Sequence, residues 1–178
     1  MSVRDTPRAG ALLAAAAFAV QLVIIGSVIA GPLVTSMSGQ TVHLRVAPVD
    51  PRDPLRGDYV AVGYDISTLH ESADVKLKKG QDVWMPLRPN GAEWTAVEPV
   101  FTRQPTAADL KGVGASAAIK GRVSSLKPRT VDYGIDRYFV PEGKGRVFPT
   151  GSVIVEAKLG RDGTPVLQRL YVNGRVWP

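Results

Sequence analysis

Residues Ala9 to Val46 read AGALLAAAAFAVQLVIIGSVIAGPLVTSMSGQTVHLRV, and the change of period within that stretch decides the architecture. No charged residue occurs from Ala9 to Val42, and within Ala11 to Ala30 only Gln21, Gly26 and Ser27 fall outside the hydrophobic class. About twenty helical residues at a rise of about 1.5 Å cover roughly 30 Å, the thickness of a bilayer's hydrocarbon core. Pro32, directly after Gly31, is expected to stop such a helix. Past Val34 the continuous apolar run gives way to alternation. Val42, Leu44 and Val46 alternate with His43 and Arg45, the pattern of a strand with one buried face.

Three readings of the apolar run compete. A cleavable signal peptide has an apolar core of about 7–15 residues before a small-residue site, and Val28-Ile29-Ala30 has that form. The run is longer than such a core, which favours an uncleaved anchor. A buried core helix is the third reading, although such a helix rarely runs this far without a polar face. Arg4 and Arg8 then hold a short N-terminus, residues 1–8, on the cytoplasmic side. The expected layout is an anchor over 9–30, a spacer over 31–40 with Ser36 to Gln40 its flexible part, and an outer domain over 41–178. In a double-membraned bacterium that domain is periplasmic, carried on the inner membrane.

Composition agrees with one ordinary domain beyond the anchor. A chain of 178 residues that is 44% hydrophobic and 21% charged is neither disordered nor polytopic. Its 18 Gly and 14 Pro argue against a long helical bundle, and the absence of Cys removes disulfide scaffolds, zinc ribbons and thiol nucleophiles together. The net charge of +6 is spread thinly, with its densest groups at Lys76, Lys78 and Lys79, then Lys120 and Arg122, then Lys127 and Arg129. No basic stripe is interleaved with aromatics, so nucleic acid is not an expected partner. A solvated surface is the plain reading, and attraction to anionic headgroups of an adjoining bilayer is the alternative.

The outer domain reads as β structure throughout. Strands are expected at 59–66, at 83–87 and 94–97 around Pro89-Asn90-Gly91, at 117–126, at 138–140, at 152–159 and at 166–172. Gly160 to Gly163 makes a turn, and Asn173-Gly174 a tight turn into Val176 and Trp177. A short helix is expected over 105–111, capped by Thr106. Short strands with turn signals at this spacing describe an all-β sandwich or open barrel. No second domain, internal repeat or low-complexity linker is evident.

The densest polar group runs from Asp50 to Tyr59, where Arg52, Asp53, Arg56 and Asp58 lie in a loop stiffened by Pro51 and Pro54. Structural bridging within the loop and a recognition surface are equally consistent with it. Tyr59 and Tyr64, five apart, face opposite sides of a regular strand, and a bulge at Gly63 brings them to one side. Buried tyrosines with satisfied hydroxyls are the plain alternative to a ligand platform. Catalysis has little to build on: His43 and His70 lack metal-ligand spacing, and neither a GxSxG elbow nor a P-loop is present. No metal or cofactor is expected.

Gly57-Asp58-Tyr59-Val60-Ala61-Val62-Gly63-Tyr64 resembles the signature of the GDYXXLXY family of bacterial membrane-anchored proteins, with Val62 where the family carries Leu. The approach from Val49 to Arg56, a second block from Tyr133 to Gly143, and the hairpin from Gly163 to Gly174 are similar to the family as well. The resemblance spans roughly Thr41 to Trp177. It implies a single-pass anchored protein that works beside a polytopic membrane protein, and it supplies no catalytic residues. Fragments of the chain also resemble type I signal peptidases, but the position of their nucleophilic Ser is Val49 here. The expected function is therefore a non-catalytic binding or assembly module in contact with inner-membrane lipid and a polytopic partner. A signal-peptidase-like or carboxylate-dependent envelope hydrolase, inactive for want of a nucleophile, is the alternative. The expected contact surface is Arg52, Asp53, Arg56, Asp58, Tyr59 and Tyr64, joined by Tyr138 and Glu142 if the second block folds against the first.

Overall fold

The computed structural model describes residues 7–47, 59–69, 76–139 and 151–177. Its first element, α1 (Pro7–Ser38), is one continuous helix. The span Gly10–Ser38 is long and apolar enough to cross a membrane, and its most apolar window has no residue buried against the rest of the chain. Leu13, for example, is 73% exposed. A soluble protein's core helix would bury those side chains, so that reading falls away.

Pro32 does not end the helix, contrary to expectation; it lies inside α1. A proline within a helix removes one N–H and crowds the carbonyl four residues back, at about 3 kcal/mol. Contacts beyond it hold the last two turns. The Ser38 hydroxyl donates to the Val34 carbonyl at 2.9 Å, the Gly39 amide to the Thr35 carbonyl at 2.8 Å, and the Gln168 amide nitrogen to Ser36 Oγ at 2.9 Å. The flexible spacer expected over Ser36 to Gln40 is thus the helix end, one glycine, and the first residue of a strand.

That strand, β1 (Gln40–Ala47), buries Val42, Leu44 and Val46 and turns His43 and Arg45 outward, as its alternation requires. There follow β2 (Tyr59–Ala61), β3 (Gly63–Tyr64), a 3-10 turn (Asp65–Ser67), β4 (Asp82–Asn90), β5 (Glu93–Ala96), the helix α2 (Ala107–Gly112), β6 (Ala117–Leu126) and β7 (Arg129–Asp132). The chain closes with β8 (Arg137–Phe139), β9 (Val153–Leu159), β10 (Pro165–Val172) and β11 (Arg175–Trp177). One sheet has the order β11-β10-β9-β1-β3, a second β5-β4-β6-β7, and β2 pairs with β8; every pairing is antiparallel. The fold is mainly β and curls into a half-barrel.

A single apolar cluster fills the concave side. Val42, Leu44, Val155, Ala157 and Leu170 come from one sheet, and Val83, Met85, Leu87, Ile119 and Val123 from the other. Burying each of the larger aliphatics contributes about 1.5–3 kcal/mol, which outweighs the propensities of so short a set of strands. The turn between β9 and β10 fastens the two sheets together. Lys120 N–H donates to the Gly163 carbonyl at 2.8 Å, and Trp84 Nε1 to the Asp162 carbonyl at 2.7 Å.

Most expected strands are present, with one instructive exception. The strand expected over 59–66 breaks at Val62: β2 pairs with β8 while β3 pairs with β1. Val62 N–H goes to the Asp136 carbonyl at 2.8 Å and its side chain is buried. Tyr59 and Tyr64 therefore belong to different sheets, not to two faces of one strand. β7 was not expected from the sequence. Both tight signals hold: Asn173 and Gly174 take φ values of 50° and 78°, and Thr106 caps α2 in a full capping box with Asp109.

Candidate functional site

The segment carrying the end of the signature motif, 59–69, lies antiparallel against 129–139 along its whole length. Tyr59, Val60 and Ala61 pair with Phe139, Tyr138 and Arg137. The Tyr64 hydroxyl donates to the Ile135 carbonyl at 2.5 Å, and the Tyr133 hydroxyl to the Ile66 carbonyl at 2.8 Å. Thr68 bridges Thr130, and the Leu69 amide donates to the Arg129 carbonyl at 2.9 Å. The described parts of the two sequence blocks are therefore one structural unit.

This unit revises the expected contact surface. Tyr64 is 4% exposed, so it is a core residue with a satisfied hydroxyl and cannot contact a ligand; Val62 beside it is 3% exposed. Burial, and then the charge of Asp136, push the Tyr64 phenol up, and burial does the same to Tyr133. Tyr138 does come alongside the motif, on β8, but it is half-buried, its ring 6.1 Å from that of Trp177 and its hydroxyl donating to the Trp177 carbonyl at 3.3 Å. Tyr59 is placed by its backbone in β2. Arg52, Asp53, Arg56, Asp58 and Glu142 lie outside the described residues.

A cleft of about 850 Å³ opens where α1 meets the domain. Ala30, Gly31, Val34, Thr35 and Ser38 form its helical wall, and Trp84, Pro105, Leu110, Ala118 and the turn Gly160–Gly163 the opposite one. Sequence chemistry accounts for the closeness of the two walls. A Cβ on Gly39 would stand 2.5 Å from the Thr35 carbonyl oxygen and 2.8 Å from that of Leu159, and a Cβ on Gly160 2.9 Å from Thr35 Oγ1. Only glycine permits that approach.

The polar groups at this end are largely committed. Asp109 caps α2 and binds Arg103 through two contacts of 2.9 and 3.1 Å; Arg103, then Thr106, hold its carboxyl far below the usual range. Burial opposes ionisation of Asp162, but the Thr164 hydroxyl and amide, at 2.6 and 3.0 Å, and the charge of Lys120 outweigh it and leave its carboxyl low. The Gln104 side chain donates to the Arg161 carbonyl at 2.9 Å. The Arg161 side chain has no partner among the described residues.

Two further polar clusters escaped sequence reasoning. On the outer face of the larger sheet, Glu156 accepts from the Tyr171 hydroxyl at 2.8 Å and lies 3.8 Å from His43 and 3.9 Å from Arg169. On the other sheet, Asp82 meets Lys120 at 3.1 Å and Arg122 at 3.0 Å, with Lys120 also 5.3 Å above the Trp84 ring; Lys120, then Arg122, hold the Asp82 carboxyl low. Alternation alone marks these residues as outward-facing. Which of them meet depends on cross-strand register, His43 opposite Glu156 and Asp82 opposite Arg122. Among the described residues no group of three or more His, Cys, Asp or Glu is arranged to hold a metal ion.

A family model described as GDYXXLXY protein matches residues 21–170, a span that takes in the second half of α1, the cleft and both tyrosines. No curated protein and no solved structure matches the chain.

Proposed function

This chain belongs to the GDYXXLXY family, and on that premise we propose that it is a membrane-anchored, non-catalytic binding or assembly module acting beside a polytopic membrane protein. Its β domain lies on the periplasmic face of the inner membrane, and Arg4 and Arg8 keep the N-terminus inside. The observation that carries this reading is the junction of α1 with the domain. Gly39 alone separates helix from strand, and Ser36, Thr35 and Gly39 are packed or hydrogen-bonded to β9, β10 and their turn. A tethered enzyme that samples soluble substrate gains from a loose linker. A module that presents one face to a neighbour fixed in the same membrane gains from rigid height and orientation, because less freedom is lost on docking.

The uncleaved form of the anchor has its own support. The Ala30–Gly31 bond of the one signal-peptide-like site lies within a continuous helix, not in the extended chain that a protease cleft binds. Topology is testable without ambiguity because the chain has no cysteine. A single Arg175→Cys variant in intact spheroplasts is expected to react with a membrane-impermeant maleimide; protection until lysis would place the domain inside.

Purification of the full chain in mild detergent is expected to recover a polytopic protein at fixed stoichiometry. Arg56→Ala with Asp58→Ala is expected to lose that partner while the thermal midpoint stays in place. Recovery of the chain alone from every mild detergent tried counts against the module reading. A double variant that loses partner and midpoint together shows the loop to be structural.

A further inference from the structure

We infer that the cleft between α1 and the β domain is a binding site for one anionic membrane phospholipid. This rests on the anchored part of the proposed function and is independent of the polytopic partner. Counting from Arg8, about twenty residues carry α1 across the hydrocarbon core, to the region of Ala30. The residues from Gly31 to Ser38 then rise through the headgroup layer, so the cleft they line is open to lipid at that depth.

Its lining is partly apolar and partly basic. Ala30 and Val34 on the helix wall and Pro105 and Leu110 on the domain wall form an apolar slot at the border of the hydrocarbon core and the headgroup layer. At the rim stands Arg161, without an ionic partner among the described residues. Lys111, next to the lining residue Leu110, and Lys158, at the end of β9, are likewise unpaired among the described residues. Neither carboxylate at this end pairs with Arg161: Asp109 is bound by Arg103, and Asp162, which stays ionised, is held by the Thr164 hydroxyl and amide and faces the charge of Lys120. An arginine fork left free above an apolar slot is suited to a phosphodiester whose chain enters the slot.

The volume of about 850 Å³ admits a glycerophosphate and the upper part of one chain. A transmembrane helix of another protein fits less well. Such a helix, packed along the exposed length of α1, brings no anion to Arg161 at the cleft.

The test is native mass spectrometry of the full chain extracted gently from membranes, then exchanged into detergent with phosphatidylglycerol or phosphatidylcholine. One phosphatidylglycerol is expected to stay bound per chain in preference to phosphatidylcholine. Arg161→Glu is expected to reduce its retention about tenfold, from loss of one attraction and gain of one repulsion. Arg175→Glu, the same change at the start of β11 and far from the cleft, should leave retention unchanged. Val34→Trp, at an exposed helix position, should fill the slot and expel either lipid. Equal retention of both lipids overturns the inference, as does an Arg161→Glu chain that behaves like Arg175→Glu. A photoreactive residue at Val34 that crosslinks to protein instead of lipid overturns it in favour of a partner helix. A chain recovered in the soluble fraction sinks the anchored reading itself, whereas a membrane-bound chain without retained lipid sinks the cleft alone.

Discussion

Tyr64 and Tyr133 each hold the other's segment: Tyr64 donates to the carbonyl of Ile135, two residues past Tyr133, and Tyr133 donates to the carbonyl of Ile66, two residues past Tyr64. Both rings are buried, at 4% and 6% exposure. The final tyrosine of the signature thus closes the half-barrel where the chain crosses between sheets at Val62. A phenol does two things there that a plain apolar ring does not. The ring fills core volume while the hydroxyl satisfies a carbonyl that no strand partner reaches.

Removing either hydroxyl leaves a buried carbonyl unpaired. Tyr64→Phe and Tyr133→Phe are each expected to destabilise the domain by about 1–3 kcal/mol, read from the midpoint of urea unfolding in detergent. The double variant should lose less than the sum by about 0.5 kcal/mol or more, because both bonds close the same pair of segments. Strict additivity would show the two bonds to be independent.

The same pair is expected to make the domain sensitive to alkali. Burial raises both phenols above their ordinary value of about 10, so the unfolded chain releases its protons first as pH rises. Their contribution is complete below about pH 10 and is lost as pH climbs from there toward the folded values. Thermal midpoints recorded from pH 8 to 12 are expected to fall beyond pH 10. The double Phe variant should show a shallower fall; an equal slope would place the alkaline sensitivity in other groups.

The junction of helix and domain predicts opposite outcomes for two glycines of one helix end. Gly39→Ala drives a methyl against two backbone oxygens, at 2.5 and 2.8 Å, and is expected to cost about 1–3 kcal/mol. Gly31→Ala meets nothing within 4 Å and is expected to be neutral or to stabilise α1 by up to about 1 kcal/mol. Thermal unfolding of both variants decides the matter. A neutral Gly39→Ala would mean that the helix end is not packed on β9 as described.

Several local features were legible before any tertiary information. The charge-free run marks the long helix, the alternation from Val42 to Val46 marks β1 and its buried face, and Asn173-Gly174 marks a two-residue hairpin. Thr106 marks the cap of α2. Each depends on chemistry within a few residues, which periodicity and spacing report directly. Pro32 misled for a related reason. Its helix-breaking tendency is local, but part of what holds the helix past it, the bond from Gln168 to Ser36 and the close approach of Gly39 to Leu159, comes from β10 and the end of β9, more than a hundred residues away.

The sequence by itself determined the long helix, the buried face of β1, most of the later strands in their order, the tight turns and the family. Only the tertiary structure decided that the signature motif changes sheets at Val62, that Tyr64 is core and not surface, and that helix and domain enclose a cleft with Arg161 at its rim. The physical reason is range. Hydrophobic period and turn chemistry act between near neighbours, whereas pairing 59–69 with 129–139 depends on which strands, distant along the chain, bury the most surface and satisfy the most backbone together.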